Sequence, residues 1–438
     1  MSLVTGNKVS SLPPEHPRLS PRMPPEHAIH SPSGHGSGGE TSPRDPAQGA
    51  FQTFLILGAS TRAWASSVSR TGLVVHAADL FNDRDLLAIA AAVAVPLERY
   101  PSVLAEVANT FPGGPWCYTG ALENHPELVD TITAARPLAG NAGEAIRRVR
   151  TTRYLAEELA GMGIGFPRTL DDAAAIPSDG SWLRKPRASG GGQGIARWTG
   201  PGAGGTTLDS GRDHIWQECC PGLPVSGAFV VTSRGARLVG ASRQLIGVTA
   251  WHATPYAYCG SVDVDPQTLP DDLSDQWNRI GTLLAGTLGL RGVVGVDAIV
   301  TPSGRLVVVE VNPRPTSSME LIDRRTGRAL AADHLAACGI VTGHCSPAPS
   351  GGRWAKGILR AASPIEVDDR LCDRLDRFAS AWGLGDGWPA IADLPRSGTV
   401  VPSGAPCISL FAVADTGRGA RRLLDQRMGI VQGAIGRP

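Results

Sequence analysis

The order of apolar and polar residues predicts alternating strands and helices from about residue 51 onward. "FQTFLILGAS" is a nearly continuous apolar run that ends in Gly58-Ala59-Ser60. Such a run is typical of a central strand in a parallel sheet. A short helix is predicted over Thr61–Ser69, and "GLVVHAADLFNDRDL" predicts a second strand that ends in acids. This β-α-β order favours a parallel-sheet domain. It lacks G-x-G-x-x-G, but the turn before the helix is placed to receive an anion.

The rest of the chain predicts a mixed α/β fold with several antiparallel strands. Arg147–Ala160 has the apolar spacing of one helix, which "GMGIGFPRTL" ends. Strands are predicted in "SWLRKPRASGGGQGIARW", "DHIWQECCPGLPVSGAFVV" and "ARLVGASRQLIG". A helix is predicted over 275–290, and "GVVGVDAIVTPSGRLVVVEVN" predicts two strands joined by a turn at 302–304. The last 90 residues favour a small β-rich module with a closing helix.

Polar residues at the end of this hairpin predict a metal site. Glu310 and Asn312 are two residues apart and leave the same face of their strand. If the turn closes at 302–304, Asp297 lies opposite Glu310, and two facing carboxylates repel unless a cation lies between them. An amide oxygen beside them makes an all-oxygen set suited to Mg²⁺. Arg314 follows and is suited to a phosphoryl group or an acyl phosphate. The alternative interpretation is a strand end with exposed acids.

A glycine-rich loop after Lys185 is a second candidate site. Its backbone N–H groups can approach phosphate oxygens. It is not a G-x-x-x-x-G-K-[ST] loop, and taken alone it is better explained as a linker. The loop residues are Ser189, Gly190, Gly191, Gly192, Gln193 and Gly194. Further along, Glu218 is predicted to be a buried acid that needs a partner such as an adenine amino group. Its neighbours Cys219 and Cys220 are interpreted as core residues rather than nucleophiles.

Composition and charge narrow the classes of protein. Residues 1–50 hold nine prolines, six glycines and four histidines, so this tail is predicted to be disordered. Forty-one Lys and Arg against 40 Asp and Glu give a formal charge of +1, which argues against nucleic acid or an anionic membrane as partner. The eight cysteines form no C-x-x-C pair. With neither a long apolar span nor a signal peptide in the sequence, a cytoplasmic protein with reduced thiols is expected.

Taken together, these motifs resemble the ATP-grasp superfamily. "RKPRASGGGQGI", "WQECCPG", "GVVGVDAIV" and "VEVNPRPTSSMEL" occur in the order and spacing of that family, and the likeness covers about residues 51–430. The resemblance implies a Rossmann-like pre-ATP-grasp domain over 51–145 and a two-lobed nucleotide- and Mg-binding domain over 146–345. A C-terminal β-rich module over 346–438 completes the expected order, behind the tail 1–50.

The resemblance also implies roles for the nucleotide-binding residues. Lys185 looks like the lysine that contacts the α-phosphate and adenine, and Ser189–Gly194 like the loop that covers the phosphates. Glu218 and the backbone of Cys219-Cys220 look like the adenine hinge. One departure concerns a lysine that the family usually has near the start of the helix before "GIGFP". Here Arg150 and Arg153 are the candidates to replace it.

At the metal site the resemblance implies two Mg²⁺ (or Mn²⁺) ions that bridge the ATP phosphates. Asp297, Glu310 and Asn312 look like their ligands, and Arg314 resembles the catalytic arginine beside the acyl phosphate. The activity implied is that of a carboxylate–amine ligase, which forms an amide from a small carboxylate and an amine. Further substrate groups are expected from the 313–328 segment, which includes Glu320.

A narrower resemblance concerns the N-terminal part. "FLILGASTRAWA" and "GALENHPEL" look like ATP-grasp proteins encoded with tetrahydromethanopterin and methylofuran one-carbon genes, and are similar to tyramine–glutamate ligase. This implies a role in cofactor biosynthesis with glutamate or a tyramine-like amine as substrate, and a homodimer is common in the superfamily. Two alternatives stay open. One is a carboxylase-like enzyme that phosphorylates bicarbonate, and the other is a nucleotide-binding regulatory subunit without turnover.

Overall fold

The computed structural model describes residues 51–201, 213–343, 351–383 and 388–435. The tail 1–50, predicted to be disordered, lies outside these residues. The chain starts as a parallel sheet with the strand order β3-β2-β1-β4. Its elements are β1 (Thr53–Leu57), α1 (Arg62–Ser69), β2 (Val74–Asp79), α2 (Arg84–Leu87), β3 (Ala91–Ala94), α3 (Leu104–Ala108), β4 (Trp116–Tyr118) and α4 (Pro126–Ala135).

The continuous apolar run of β1 is explained by two cores, one on each face of the sheet. Phe54 and Ile56 enter one core, which extends to the large sheet described below. Leu55 and Leu57 enter another, formed with α3 and α4. All four side chains are at most 1% exposed. The predicted central parallel strand is therefore confirmed, since successive side chains of a strand point to opposite faces.

The turn before α1, predicted to receive an anion, receives a carboxylate of the chain itself. Asp79, the last residue of β2, accepts the N–H and hydroxyl of Thr61, both at 2.9 Å. It also accepts the N–H groups of Phe81 and Asn82 at 3.1 and 2.7 Å. Asp79 thereby ties the end of β2 to the start of α1 and shapes the turn that precedes Asp83.

The next segment forms a small antiparallel sheet with the strand order β5-β8-β6-β7. Its elements are α5 (Gly143–Arg150), α6 (Thr152–Gly161), β5 (Thr169–Leu170), β6 (Trp182–Pro186), β7 (Ala196–Arg197) and β8 (His214–Glu218). The prediction of a single helix over Arg147–Ala160 is wrong. Thr151 is extended, with φ −79° and ψ 94°, so one helix ends before it and a second begins after it.

Eight of the remaining strands build a sheet with the order β13-β12-β9-β10-β11-β14-β18-β16, and the other two, β15 and β17, pair separately. The segment comprises β9 (Leu223–Thr232), β10 (Gly235–Ile246), β11 (Tyr258–Val264), α7 (Asp271–Ala285), β12 (Gly292–Val300), β13 (Leu306–Asn312), α8 (Glu320–Thr326), α9 (Leu330–Ala337), β14 (Arg353–Arg360), β15 (Ile365–Glu366), α10 (Asp369–Ala381), β16 (Ile391–Ala392), β17 (Val400–Val401), β18 (Pro406–Ala414) and α11 (Gly417–Ile435). The predicted C-terminal strands therefore extend this sheet from β11, and the division of the chain into domains stays a prediction.

Helix α7 packs behind the strands that carry the candidate metal ligands. Trp277 and Ile280 lie in one core with Phe229 of β9 and Val294 of β12. Gly227 of β9 has no side chain because the Trp277 ring lies where a Cβ would stand, 2.8 Å away. This packing holds β9 and β12 in place from behind. In the described ranges, none of the helices has the length and apolar character needed to cross a membrane.

His334 of α9 joins the two sheets, and we expect it to make stability depend on pH. Its Nδ1 accepts the N–H of Val293 at 2.9 Å, and its Nε2 lies 3.0 Å from the carbonyl oxygen of Ala139. Burial lowers the pKa of His334 to about 4. The unfolded chain therefore binds a proton at this histidine near pH 6.5, whereas the folded chain binds it only near pH 4. The free energy of unfolding consequently falls by about 3 kcal/mol between pH 6.5 and pH 4.

Chemical unfolding of wild type and His334→Gln at pH 7 and pH 4.5 checks this expectation. The difference in unfolding free energy between the two proteins should narrow at the lower pH, because the variant has no imidazole to titrate. The partly exposed His125 supplies the control, and His125→Gln should follow the wild type. A constant difference between wild type and His334→Gln would contradict the expectation.

Candidate functional site

The β12–β13 hairpin brings the predicted metal ligands together. Asp297 pairs with Glu310 across the two strands, as predicted. Nearer the turn the register differs by one residue from the prediction, since Ala298 pairs with Val308, and a bulge between Asp297 and Ala298 restores the predicted pair. Asn312 is 4% exposed and donates its side-chain N–H to Asp297 Oδ2 at 3.2 Å. Gln244 of β10 donates to Asp297 Oδ1 at 2.9 Å. A plain strand end with exposed acids does not describe this site, because Asn312 is buried and Asp297 is partly buried.

The donor set fits Mg²⁺ bound together with phosphates. Burial, followed by the charge of Glu310, raises the pKa of Asp297 to about 6, so a cation between the two acids would favour the ionised form of Asp297. Within the described ranges no group of three or more His, Cys, Asp and Glu side chains is arranged so that it could hold a metal ion by itself. Mg²⁺ commonly takes only one or two carboxylates and completes its shell with water and substrate phosphates. Asp297, Glu310 and Asn312 are the residues that would hold it.

Arg150, and not Arg153, reaches this site. Arg150 Nη1 donates to Glu310 Oε1 at 2.6 Å, and its Nη2 donates to the carbonyl oxygen of Arg187 at 2.9 Å and to Asn124 Oδ1. The side chain of Arg153 is 89% exposed and pairs with Glu157 on the same helix. The break between α5 and α6 produces this difference, since Arg150 ends the first helix beside the β13 edge.

Lys185 of β6 lies within electrostatic reach of the same acids. Its Nζ donates to Gln217 Oε1 at 2.9 Å. Burial lowers the pKa of Lys185, an effect that Arg150 adds to and that Glu310 and Asp297 oppose. The structure thus places the predicted lysine next to the predicted metal ligands, although they are more than 100 residues apart in the chain.

The glycine-rich loop Ser189–Gly194 folds against the segment that leads into β11. The carbonyl oxygen of Gly191 accepts the N–H of Tyr258 at 3.0 Å. Gly192 has φ +79°, and a Cβ at this position would clash with the carbonyl oxygen of Tyr256. Glycine is therefore required where the loop touches the large sheet. This contact bridges the small sheet, which carries the loop, and the sheet that carries the acids.

The predicted adenine-hinge residues differ from expectation in their exposure. Glu218 is exposed, so the prediction of a buried acid is wrong. Side chains alternate along β8, and the buried polar residue is its neighbour Gln217, at 3% exposure. Cys219 and Cys220 are partly exposed rather than core residues. The N–H of Cys219 donates to the carbonyl oxygen of Ser181 at 2.8 Å. The hinge role of these three residues stays a prediction.

Arg314 is held by a buried acid that the sequence did not single out. Its Nη2 pairs with Glu123 Oε1 and donates to Asn312 Oδ1 at 3.2 Å. Glu123 is 2% exposed and precedes α4. Burial alone would lower the pKa of Arg314, but the charge of Glu123 holds it above its usual value. Burial would raise the pKa of Glu123, and Arg314 holds it below its usual value. The two groups remain charged.

The only sequence signal for Glu123 was its place in the chain. It follows β4, and acids beyond the carboxyl ends of parallel strands lie where α/β proteins bind ligands. The side-chain oxygen of neighbouring Asn124 accepts a hydrogen bond from Arg150. Nothing in the local pattern of "GALENHPEL" indicates which arginine either side chain meets.

A cavity of about 270 Å³ lies on the other side of Arg314. It is bounded by the carboxyl ends of β1 and β4, by the segment after β13, and by β14 and β18. Glu320, expected to face substrate, lines it and joins three cations: Arg62 donates to it at 2.6 and 3.0 Å, Lys356 at 2.8 Å and Arg324 at 3.3 Å. Apolar residues also line it, namely Trp64, Phe81, Met319, Ile358, Pro406 and Ile408, and so do the acids Asp83, Asp323 and Asp393.

The chain is similar in sequence and fold to known ATP-utilising proteins. Residues 149–318 match the ATP-grasp domain. Pyruvate carboxylase of Rhizobium etli, solved with its activator acetyl coenzyme A, is 14% identical with a TM-score of 0.62 over 89% of this chain and 39% of the carboxylase. This chain thus spans well under half of that protein.

Two smaller proteins are similar over most of their own length. N5-carboxyaminoimidazole ribonucleotide synthetase of Thermus thermophilus is 16% identical with a TM-score of 0.58, over 87% of this chain and 98% of that one. The biotin carboxylase domain of the Hydrogenobacter thermophilus 2-oxoglutarate carboxylase, solved as a dimer with MgADP, ADP and bicarbonate, is 13% identical with a TM-score of 0.60, over 84% and 87%. No curated protein sequence matches the chain. The domain match and these structures agree with the two sheets described above: the chain carries an ATP-grasp domain and has the ATP-grasp fold.

Proposed function

We propose that the protein is an ATP- and Mg²⁺-dependent carboxylate–amine ligase. The observation that carries the proposal is the position of Arg314. One of its nitrogens donates to Asn312 beside the acid pair, and its side chain also lines the cavity. A phosphoryl group held at the acids and a carboxylate held in the cavity would meet at this guanidinium. The similarity to the ATP-grasp domain supports ATP as the phosphoryl donor.

Different residues around the acid pair would contact different parts of the nucleotide. Lys185 and Arg150 supply positive charge for the phosphates, and Ser189–Gly194 cover them. The backbone after Glu218 provides the hinge for adenine. Mg²⁺ at Asp297, Glu310 and Asn312 would offset the negative charge of the phosphates during transfer.

The reaction then proceeds in two displacements. An oxygen of the substrate carboxylate attacks the γ-phosphorus of ATP, the bond to the bridging oxygen breaks, and ADP leaves. Arg314 stabilises the charge on the transferred group and on the acyl phosphate that results. The amine attacks the acyl carbon, its nitrogen loses a proton, and inorganic phosphate leaves as the amide forms. The closed glycine-rich loop keeps water from the acyl phosphate.

Bicarbonate phosphorylation is the second candidate function. The Hydrogenobacter carboxylase domain was solved with bicarbonate, and the fold similarity extends over most of that domain. In this alternative, bicarbonate would replace the organic carboxylate at Arg314, and the cavity would hold a different acceptor. The acid pair, Arg314 and the cavity would serve either reaction. The two candidate functions are therefore distinguished by their reaction products.

The proposal also includes a biosynthetic role and an oligomeric state. A role in methylofuran or tetrahydromethanopterin biosynthesis, with glutamate or a tyramine-like amine, is supported by the resemblance of "FLILGASTRAWA" and "GALENHPEL" alone. A homodimer is supported by the dimeric state in which the Hydrogenobacter domain was solved.

ADP release by the full chain tests the proposed function. The assay combines Mg²⁺ and ATP with pairs of carboxylates and amines, with glutamate and tyramine among them, and with ¹³C-labelled bicarbonate in parallel. Release that needs both a carboxylate and an amine, with an amide as product, supports the ligase. Label incorporated from bicarbonate supports the carboxylase alternative. Binding of ATP without release for any pair would support the regulatory subunit and contradict the ligase.

Arg150 and Arg153 form a matched pair for testing which arginine serves the nucleotide. We expect Arg150→Ala to weaken MgATP binding by about tenfold, the effect of losing one charge-assisted hydrogen bond. Arg153→Ala should change it less than about twofold, since an exposed pair on one helix contributes little. Calorimetric titration with MgATP measures both. Unchanged or tighter binding by Arg150→Ala would mean that Arg150 only neutralises Glu310.

A further inference from the structure

One acid that lines the cavity, on the side formed by the parallel sheet, has no hydrogen-bond partner among the described residues. Asp83 lies between β2 and α2, lines the cavity, and is 6% exposed. In the part of the chain that the structure describes, its carboxylate accepts no hydrogen bond. Ionising an acid in this position is costly, because burial removes most of its water and no donor of the described chain replaces it. The site therefore lacks a group that Asp83 is placed to bind.

The acids around Asp83 accept hydrogen bonds with their carboxylates, which distinguishes them from Asp83. Asp79 accepts four hydrogen bonds from the turn that it shapes. Asp85 accepts the N–H groups of Asp393 and Leu394 at 2.9 and 2.8 Å. Asp393 itself accepts from Arg62 Nε at 2.8 Å. The cations on this wall are thus already paired with Glu320, Asp85 and Asp393, and Asp83 is the acid in excess.

The charge state of Asp83 follows from this environment. Burial is the largest of the causes that raise its pKa to about 9. The charges of Asp393, Asp85 and Asp79 act in the same direction, and Arg62 opposes them only in part. Asp83 is therefore protonated at neutral pH as the chain stands. A cation that entered the cavity would let it ionise.

We propose that Asp83 binds the ammonium group of the amine substrate, and that this substrate is a primary amine with an apolar body. The carboxylate of Asp83 would then take the proton that the nitrogen must lose before it attacks the acyl carbon. The inference rests on the proposed function and deepens it. Trp64, Phe81 and Ile408 line the same cavity and provide the apolar contact. Arg314, which also lines the cavity, is left for the carboxylate or its acyl phosphate.

The same wall excludes a competing class of substrate. A ribonucleotide or another phosphorylated acceptor would bring two or more negative charges toward Asp83 and Asp393. Among the described residues, the cations of this wall are already paired with carboxylates, so an anion would gain no free positive partner there. The acid end of the cavity thus selects for a cation and against an anion.

Binding of a simple amine to the full chain tests the inference without requiring turnover. The probes are phenethylamine and 2-phenylethanol, which share a body and differ in the charged group. Asp83→Asn replaces the carboxyl by an amide of the same shape, and Asp275→Asn, an exposed acid on α7, is the matched control. We expect Asp83→Asn to weaken phenethylamine binding by about tenfold or more and to leave 2-phenylethanol within about twofold. Asp275→Asn should match the wild type for both probes.

Proton release gives a second readout that a structural role would not produce. In the wild type, phenethylamine binding should release a proton from Asp83, so its affinity should rise about tenfold per pH unit between pH 7 and 9. Above that range the gain should end, because Asp83 is then already ionised. The groups that face Asp83 are the carboxyls of Asp79, Asp85 and Asp393, the guanidinium of Arg62 and the thiol of Cys407. Asp83→Asn keeps all of them, so the rise should disappear in that variant alone.

The outcomes separate this inference from the proposed function. Equal phenethylamine affinity in wild type and Asp83→Asn, or no measurable binding to the wild type, would overturn the assignment of Asp83. ADP release that needs an amine yet is insensitive to Asp83→Asn would do the same while leaving the ligase intact. Asp83-dependent amine binding without any ADP release would uphold the site and contradict the ligase. Thermal unfolding of each variant shows whether it is folded, and Asp83→Asn should be at least as stable as the wild type.

Discussion

Glu310→Gln is expected to lower Mg²⁺-dependent ADP release by about 100-fold or more, the loss that follows when one preorganised electrostatic group is removed from a reacting site. The substitution keeps the shape of the side chain and removes the charge that faces Asp297. Without the second carboxylate, the site would hold Mg²⁺ and the phosphates too weakly for transfer. Steady-state ADP release over a range of Mg²⁺ concentrations measures the effect.

The fold should survive this change. Glu310 pairs with Arg150 in a partly exposed position, so its loss should change the free energy of unfolding by less than about 1 kcal/mol. Glu366→Gln, on the exposed strand β15, is the control and should keep wild-type activity. Full activity in Glu310→Gln would remove the acid pair from the mechanism.

Arg314 and Glu123 are expected to show that stability and activity depend on the same ion pair in different ways. Arg314→Gln leaves the Glu123 carboxylate buried without its cation, which should destabilise the fold by about 3–5 kcal/mol. Glu123→Gln should cost a similar amount, because it leaves the guanidinium unpaired. The double variant buries no charge and should recover most of the lost stability. Urea unfolding of the four proteins measures this cycle.

Activity should not recover with stability. Arg314 provides the charge beside the transferred phosphoryl group, so both variants that lack it should be inactive in ADP release. Glu123→Gln should keep part of the activity, since it retains the guanidinium but loses the group that positions it. An active double variant would show that the charge of Arg314 is not used in the reaction. A double variant as unstable as Arg314→Gln would show that packing, rather than charge, holds this pair in place.

The candidate metal site was predictable from sequence because its geometry is local. A turn placed at 302–304 brings Asp297 and Glu310 within one residue of facing each other, and a bulge after Asp297 completes the pairing. The two-residue period of a strand brings Asn312 to the same face. The central strand β1 was predictable for a similar reason, since a continuous apolar run of that length is suited to burial on both faces. Neither prediction needs a contact with a distant part of the chain.

Other features were decided only when distant segments met. The α5–α6 break at Thr151, which the apolar spacing did not predict, separates Arg150 from Arg153 and sends only the former to Glu310. The exposure of Glu218 likewise depends on which face of β8 is covered by the rest of the small sheet. These outcomes follow from packing, which hydrophobic periodicity within one segment does not specify.

The sequence by itself determined most of the strands and helices, the hairpin register to within one residue, and the residues that make the acid pair, because each is set by interactions between near neighbours in the chain. Only the tertiary structure decided what surrounds them. The Glu123–Arg314 pair joins residues 191 positions apart, and the Arg62–Asp393 pair spans 331. The cavity and its unpartnered Asp83 exist because the parallel sheet and the large sheet are packed against each other. Long-range charge pairing and enclosure of space are properties of that packing, and no single stretch of sequence encodes them.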